Sequence, residues 1–484
     1  MIESFFKNAS IYSLSAILTR GISILLVPIY TRYLLPADYG IVDLFTVLAS
    51  IINITISLEI TQAIARYYQE GKNELEKSLY TSTAFWFTVM VYTFYLIISF
   101  LFSEDFTLWL LGDVKYKLIF ILASLSIVTN GLFYFTQNQL KWQIQPKDNF
   151  IVSLISTIVL AGVSISLLVA LRLKVESIFI GQIIGNLIGV FISISLAKGS
   201  YKLNFSVTKL KEMITFSYPL VFSGIAVFIA TYIDRIAIKD LLGLEELGIY
   251  GISYRFASIA GLVMLGFQSS LMPLVYKHHN EEDTPKNISE IFNIFIILVL
   301  FVLGGSIVFS REIIILFTTE AFYSSNNLIG ILVMAIFLSN MYIFAPGIWI
   351  VKKTKLVFLI TLISAILNTT LNYTLIPIIG VSGAAYATLI SAMVAFFLFA
   401  IFGYKYYPIP YKTKELILSF IFVLTSAYGI KNIFNQINLF SIFIKLIYLF
   451  LIIIFIGFLL IEKKHFEKVK LRYFNRMKYA KTKE

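Results

Sequence analysis

The sequence predicts an all-α integral membrane protein with 14 transmembrane helices. Of its 484 residues, 58% are hydrophobic and only 14% are charged, whereas soluble domains are about half apolar and about a quarter charged. Apolar runs of about 20 residues, the length that crosses a bilayer, recur along the whole chain. The segments between these runs are too short to fold as soluble domains, so the chain is predicted to be nearly all helical bundle.

The hydrophobic runs also predict the topology. The spans are expected at 11–34, 41–63, 80–102, 118–138, 150–171, 176–197, 213–238, 248–276, 288–310, 325–350, 356–376, 381–403, 414–434 and 438–461. With the N-terminus inside, most of the 39 Lys and Arg residues fall in cytoplasmic segments, which is the bias of membrane proteins. We therefore expect a multi-pass protein of the cytoplasmic (inner) membrane with both termini cytoplasmic. Arg20 interrupts the first run, which favours a retained helix over a cleaved signal peptide.

Composition excludes several function classes. The chain has no cysteine and three histidines, which lie beside polar loops or in the C-terminal tail, so no disulfide and no metal site is predicted. The net charge of +12 alternates with the spans, which indicates membrane topology rather than nucleic-acid binding. Neither a phosphate-binding glycine loop nor a nucleophile elbow occurs in the sequence. We predict no catalytic residues, no cofactor and no enzyme, with transport driven by a gradient, the membrane potential or downhill substrate flow.

The two halves of the chain resemble each other. GIVDLFTVLASI, which starts at Gly40, and GIYGISYRFASI, which starts at Gly248, match at five of twelve positions. The offset spans six predicted helices, so both copies have the same orientation, as in parallel-repeat transporters. The predicted domains are an N-lobe at 1–198 (helices 1–6), a C-lobe at 199–404 (helices 7–12), helices 13 and 14 at 405–462, and a basic cytoplasmic tail at 463–484.

A polar stripe follows the second predicted helix. It consists of Asp43, Thr46, Ser50, Asn53 and Ser57, whose spacing of three and four residues keeps them on one helix face. Such a stripe either bonds to a packed helix or lines a cavity, and the terminal carboxylate favours the cavity. We therefore predict that Asp43, Ser50 and Asn53 contribute to a substrate site.

Three arginines lie within predicted spans: Arg20, Arg235 and Arg255. A charge at mid-bilayer costs about 2.5–3.5 kcal/mol on insertion scales, so it normally faces a bundle interior or a watery cavity. The planar guanidinium binds phosphate oxygens in pairs. The arginines are therefore predicted to contact an anionic headgroup. Lys445, in the last predicted span, is expected to extend towards the membrane interface, with contact to such a headgroup as the alternative.

Two acidic residues are candidates for binding a coupling ion. Asp234 precedes Arg235 directly, and because neighbours in sequence point in different directions on a helix, each is expected to have a different partner. Glu59 lies near the end of the second span. Its structural alternative is an ion pair with Arg66.

Four stretches carry a resemblance to a known family. They are RGISILLVPIYTRYLLPADYGIVDL from Arg20, ARYY from Ala65, YIDRIAIKDLLGLEELGIYGISYR from Tyr232 and LNTTLNYTLIPIIGVSGAAYAT from Leu367. With the plan of 14 spans, the chain resembles the polysaccharide transporters of the MOP (multidrug/oligosaccharidyl-lipid/polysaccharide) flippase superfamily, which includes the MATE and MurJ transporters. Within it, the likeness is to flippases of the Wzx type, which serve O-antigen and capsule synthesis.

The resemblance implies two lobes in a V and a rocker-switch cycle. It implies a substrate of undecaprenyl pyrophosphate carrying an oligosaccharide repeat unit, moved from the inner to the outer leaflet for surface polysaccharide (O-antigen, capsule or exopolysaccharide) assembly. Arg20 and Arg255 match cavity arginines of the related lipid II flippases, and membrane lipids, a polymerase and chain-length proteins are the implied partners. The alternatives are lipid II, a teichoic-type precursor or drug/cation antiport on the same fold. A membrane polysaccharide polymerase is a further alternative, although the large external loop of such enzymes is missing from the sequence.

Overall fold

The computed structural model describes residues 17–19, 21–197 and 199–460, and every regular element in this part of the chain is helical. Arg20 and the predicted basic tail at 463–484 lie outside the described residues. The α-helices are numbered here as α1 Val27–Tyr33, α2 Pro36–Thr55, α3 Ile60–Glu70, α4 Glu74–Leu101, α5 Ser103–Leu111, α6 Lys117–Trp142, α7 Pro146–Ala170, α8 Val175–Leu196, α9 Val207–Leu242, α10 Leu244–Ala257, α11 Gly261–His278, α12 Thr284–Val308, α13 Ser310–Phe317, α14 Asn326–Asn340, α15 Gly347–Ile350, α16 Thr354–Ile379, α17 Val381–Tyr406, α18 Thr413–Ile433 and α19 Leu439–Leu460. Short 3₁₀ turns occupy Val114–Tyr116, Glu320–Ser325 and Met341–Phe344.

In the described part of the chain, 12 helices are long and apolar enough to cross a membrane. The predicted all-α, multi-pass membrane fold is confirmed, while the count of 14 stays a prediction. The first predicted span includes residues outside the described part. The eighth, predicted at 248–276, is divided into α10 and α11 by a turn at 258–260, where the Gly261 N–H donates to the Ser258 carbonyl at 3.0 Å. Each half of this predicted span is therefore shorter than expected.

The corner between α1 and α2 has a local chemical cause. Pro36 occupies the first position of α2, where a missing N–H costs nothing because helix N-termini leave these groups unpaired. The Asp38 carboxylate accepts a hydrogen bond from the Leu35 N–H at 2.9 Å, which caps the same helix end. These two residues fix where α2 begins and so place its polar stripe.

The described residues form two compact units. The first comprises those of Met1–Arg255, Phe317–Ser324 and Ala365–Ala387. One of its cores packs α3, α4, α6 and α9 through buried side chains that include Ile64, Phe87, Phe135 and Met213. The long helix α9 belongs to this unit and carries Asp234 and Arg235 near its C-terminal end.

The second unit comprises Phe256–Leu316, Ser325–Ser364 and the described residues of Thr388–Glu484. Its aromatic side chains Phe292, Phe344 and Tyr411 pack together, with 4.5 Å between the ring centroids of Phe292 and Tyr411. A second cluster joins Ile348, Ile360 and Phe399. The predicted boundaries at residues 198 and 404 stay predictions.

Candidate functional site

The centre of the candidate site is a buried charge cluster in the first unit, formed by Asp43 of α2 with Asp234 and Arg235 of α9. Arg235 Nε donates to Asp43 Oδ2 at 3.0 Å, and Arg235 Nη1 donates to Asp234 Oδ1 at 3.2 Å. The side chains of Arg235 and Asp234 are 5% and 3% exposed, and that of Asp43 is 18% exposed. One guanidinium thus bridges two carboxylates, and the cluster carries a formal charge of −1.

Tyrosine side chains enclose this cluster. The Tyr250 hydroxyl donates to Asp234 Oδ2. The Arg235 guanidinium carbon lies 4.2 Å from the ring centroid of Tyr254 and 5.2 Å from that of Tyr232. A cation over an aromatic face is stabilised by the ring quadrupole, and more so when both are removed from water. The rings therefore supply part of the stabilisation that water gives an exposed arginine.

The neighbours Asp234 and Arg235 on α9 have different partners, as expected, because Arg235 binds Asp43 and Asp234 accepts from Tyr250. In addition, and against expectation, the two side chains contact each other. Asp234 Oδ1 also accepts the backbone N–H of Arg235 at 2.8 Å. The Asp234 carboxylate thus lies against its own helix backbone and contacts the Arg235 guanidinium. The directions of neighbouring Cβ atoms on a helix do not by themselves predict this contact.

A close helix crossing lies beside the cluster. A Cβ atom built on Gly40 would collide with the backbone carbonyl of Leu244, and one built on Gly248 would collide with the carbonyl of Pro36. Each collision is with the residue four positions before the other glycine. Gly40 and Gly248 are also the first residues of the two repeat copies. This reciprocity is the pattern that a twofold relation between α2 and α10 produces.

The polar stripe of α2 is shared between two environments. Asp43 belongs to the charge cluster, and Ser50 donates back to the Thr46 carbonyl at 2.9 Å. Asn53 accepts a hydrogen bond from the Tyr92 hydroxyl at 2.5 Å. The first and fourth residues of the stripe thus have separate partners, and its contribution to a substrate site stays a prediction.

A polar cavity of about 170 Å³ lies at the second end of the stripe, within the first unit. Its wall is formed by side chains of α2, α3, α4 and α6 and of the break between α2 and α3, including Asn53, Ser57, Glu59, Thr88, Asn130 and Tyr134. Since one water molecule occupies about 30 Å³ of liquid, the cavity has room for a few waters. It is an oxygen-rich space with one carboxylate.

Glu59 is not paired with Arg66, so the structural alternative offered above is wrong. Arg66 Nε instead lies 3.0 Å from Glu70 Oε1, one helical turn further along α3. This hydrogen bond raises the pKa of Arg66 above its usual value. In the described part of the chain, the Glu59 carboxylate forms neither an ion pair nor a hydrogen bond with another residue.

The two remaining predicted arginines are placed differently. Arg255 is half-buried on α10, and its guanidinium carbon lies 5.6 Å from the ring centroid of Tyr39. Tyr39 packs edge-on against Phe322. Arg20 lies outside the described residues, so its predicted role stays a prediction. Within the described part of the chain, no group of three His, Cys, Asp or Glu residues could hold a metal ion.

A second buried ion pair, which the sequence analysis missed, lies in the second unit. Lys445 of α19 is 1% exposed and donates to Glu312 Oε1 of α13. The expectation that Lys445 extends towards the membrane interface is therefore wrong. Glu312 lies in a short segment predicted to be a loop, so no periodic pattern drew attention to it.

Lys445→Ala is expected to lower the free energy of unfolding by about 3–5 kcal/mol, because it leaves the Glu312 carboxylate buried without its cation. Lys414→Ala removes an exposed lysine from α18 of the same unit and serves as the control. Thermal unfolding in detergent measures both. A Lys445→Leu/Glu312→Leu double variant should recover most of the loss, and equal melting of Lys445→Ala and Lys414→Ala would contradict the prediction.

Comparison with proteins of known fold places this arrangement in a class. A structure described as "Lipid II flippase MurJ, inward closed conformation" superposes with a TM-score of 0.74 at 17% identity, covering 92% of this chain and 97% of that one. An inward-facing multidrug resistance MATE family transporter of the MOP superfamily gives a TM-score of 0.61 at 14% identity, covering 82% and 97%. The fold is therefore the one that these MurJ and MATE transporter structures share.

The sequence comparisons add the family. The "Probable low-salt glycan biosynthesis flippase Agl15" of Haloferax volcanii is 23% identical over 440 residues, which are 88% of this chain and 90% of the relative. The model of a family described as "Polysaccharide biosynthesis protein" matches residues 29–319, more than half of the chain. The chain belongs to this polysaccharide biosynthesis protein family. The predicted resemblance to MOP flippases is confirmed, because the named relative is a probable flippase and the superposed structures are a lipid II flippase and a transporter of the MOP superfamily.

Proposed function

We propose that this protein flips undecaprenyl-pyrophosphate-linked oligosaccharide repeat units from the inner to the outer leaflet of the cytoplasmic membrane. The product would supply surface polysaccharide assembly of the O-antigen, capsule or exopolysaccharide type. The observation that carries this proposal is the family match over residues 29–319. The relative named as a glycan biosynthesis flippase supports it.

The site chemistry agrees with an anionic headgroup. Arg255 is half-buried, and its guanidinium lies beside the ring of Tyr39. Arg20 is predicted to lie deep in the first span. Paired donors on such arginines suit a pyrophosphate. Asn53 and Ser50 would contact polar parts of the same substrate. Arg235 stays a candidate, with two of its nitrogens already bound to carboxylates.

Alternating access between a lobe at 1–198 and a lobe at 199–404 would move the headgroup. The last two predicted spans, at 405–462, would lie next to the lipid tail. Both termini, including the basic tail at 463–484, would lie in the cytoplasm. A polysaccharide polymerase and chain-length proteins would act on the delivered units. Asp234 and Glu59 are the candidates for coupling transport to an ion.

Lipid II is the second candidate substrate, because the superposition with the lipid II flippase covers nearly the whole chain. Drug/cation antiport is less well supported. A drug cation would need an available carboxylate, and the two carboxylates of the charge cluster, Asp43 and Asp234, are both bound to Arg235.

The experiment compares Arg20→Ala and Arg255→Ala in cells that lack the native gene. Both are expected to abolish export of surface polysaccharide while the protein stays in the membrane. Purified protein should bind the lipid-linked oligosaccharide about 10–100-fold more weakly, the loss expected for hydrogen bonds to a charged group. Arg32→Lys, at the exposed end of α1, is the control and should be nearly silent. Normal export from both alanine variants would contradict the proposed headgroup site.

A further inference from the structure

The segment that joins α2 to α3 is strained. Leu58 and Glu59 have φ values of 49° and 52°, in the left-handed region that glycine adopts readily and other L-residues adopt at a cost of about 1–2 kcal/mol each. Neither residue is a glycine, and the two are consecutive. Strain of this kind persists only where the surrounding structure enforces it, and it concentrates at functional positions.

The strain has a consequence for the position of Glu59. The break ends α2 at Thr55 and starts α3 at Ile60, and between them the Glu59 side chain joins the wall of the polar cavity. On its other side the carboxylate lies against α9, where Oε1 is 3.3 Å from the position of a Cβ built on Gly224. A glycine at this point leaves room for the carboxylate.

The surroundings of Glu59 contain polar groups but no compensating cation in the described part of the chain. The neighbouring cavity groups are hydroxyls and amides, including those of Ser57, Thr88 and Asn130. The other titratable groups on the wall are the hydroxyls of Tyr92 and Tyr134, and neither is a cation. From α9 the facing residue is Gly224, and Arg66 of α3 is bound to Glu70.

We propose that Glu59 and this cavity form a proton-binding site, in which the carboxylate takes up a proton to become a neutral carboxylic acid. A half-buried carboxylate without a cation favours its neutral form, and hydroxyl and amide groups can hydrogen-bond either form. The role of this site in transport rests on the proposed function, because proton binding here would couple flipping of the lipid to a pH gradient. Proton binding itself does not depend on which substrate is carried.

The first experiment measures protonation without any substrate. Infrared difference spectra of the purified full-length protein in lipid nanodiscs, recorded between about pH 8 and pH 5, should show a protonated-carboxyl band that Glu59→Gln lacks. Glu70→Gln, which removes a carboxylate already paired with Arg66, should keep the band. An identical band in Glu59→Gln and the unmodified protein would overturn the proposal. Disappearance of the band on adding sodium chloride, but not potassium chloride, would assign the site to sodium and would also overturn it.

The second experiment tests coupling in proteoliposomes with undecaprenyl-pyrophosphate-linked oligosaccharide. With one proton per cycle, a gradient of one pH unit supports about a tenfold ratio of substrate across the membrane. Unmodified protein should reach a gradient-dependent ratio, whereas Glu59→Gln should flip the lipid to the same extent with and without the gradient. A retained gradient effect in Glu59→Gln would overturn the coupling role. If the unmodified protein moves no such lipid, the proposed function fails, while the infrared result decides the proton site separately.

Discussion

Arg235→Met is expected to lower the free energy of unfolding by about 3–5 kcal/mol and to abolish transport, because removing one partner of a buried ion pair leaves its counter-charge unpaired. Here the loss leaves two carboxylates, Asp43 and Asp234, which share the single guanidinium. Asp234 is 2% exposed, so water replaces little of the lost interaction. Thermal unfolding in detergent and polysaccharide export in cells measure the two effects.

A matched control lies one turn along the same helix. Lys239 forms an ion pair with the exposed Asp240 at 3.3 Å, so Lys239→Met removes an identical charge from a position where water can solvate the remaining carboxylate. Such exposed pairs contribute about 0–1 kcal/mol. Adding Asp43→Asn to Arg235→Met should recover part of the stability, because Tyr250 still donates to Asp234. Equal melting of Arg235→Met and Lys239→Met would show that the cluster does not stabilise the fold.

The sequence identified the members of this cluster but not their contacts. Helical periodicity identifies Asp43 as a candidate site residue, and the cost of a charge in a membrane identifies Arg235. Both criteria use only the residue and its neighbours in sequence. Their side chains are 192 positions apart in sequence. Periodicity identifies the face of a helix, whereas the neighbouring helix on that face depends on packing that a single sequence does not encode in any short pattern.

The fold was predicted more completely than the site, because hydrophobic runs long enough to cross a bilayer directly specify helices. The two interruptions, at Leu58–Glu59 and at 258–260, were missed for a shared reason. Mostly apolar residues flank both turns. The first contains neither proline nor glycine, and the second has a single glycine, Gly261, at its end, which is a weak signal for a break inside an apolar run. Tertiary contacts rather than local propensity must hold these turns.

Among the sequence patterns, the internal repeat identified a pair of residues that meet at a helix crossing. Aligning the two copies placed Gly40 opposite Gly248, and these two glycines occupy reciprocal positions where α2 crosses α10. The shared glycine is explained by the crossing, because a side chain at either position would meet a backbone carbonyl that cannot rotate away.

Gly40→Ala and Gly248→Ala are each expected to lower the free energy of unfolding by about 1–3 kcal/mol, the usual cost of overpacking a close contact. Gly162→Ala, on α7 of the same unit, places its methyl group where no atom lies within 4 Å. That control should not lower stability, because alanine is favoured over glycine in a helix interior by about 0.5–1 kcal/mol. Thermal unfolding in detergent measures all three, and export in cells should fall for the two crossing variants alone.

The double variant tests the reciprocity itself. Each added methyl collides with the carbonyl four residues before the other glycine, so one outward shift of α2 relative to α10 relieves both collisions. Gly40→Ala/Gly248→Ala should therefore lose less stability than the sum of its single variants, since mutations that share a backbone shift are not additive. A loss equal to the sum would mean that the two contacts adjust independently, and the crossing would then be two separate packing contacts rather than one twofold joint.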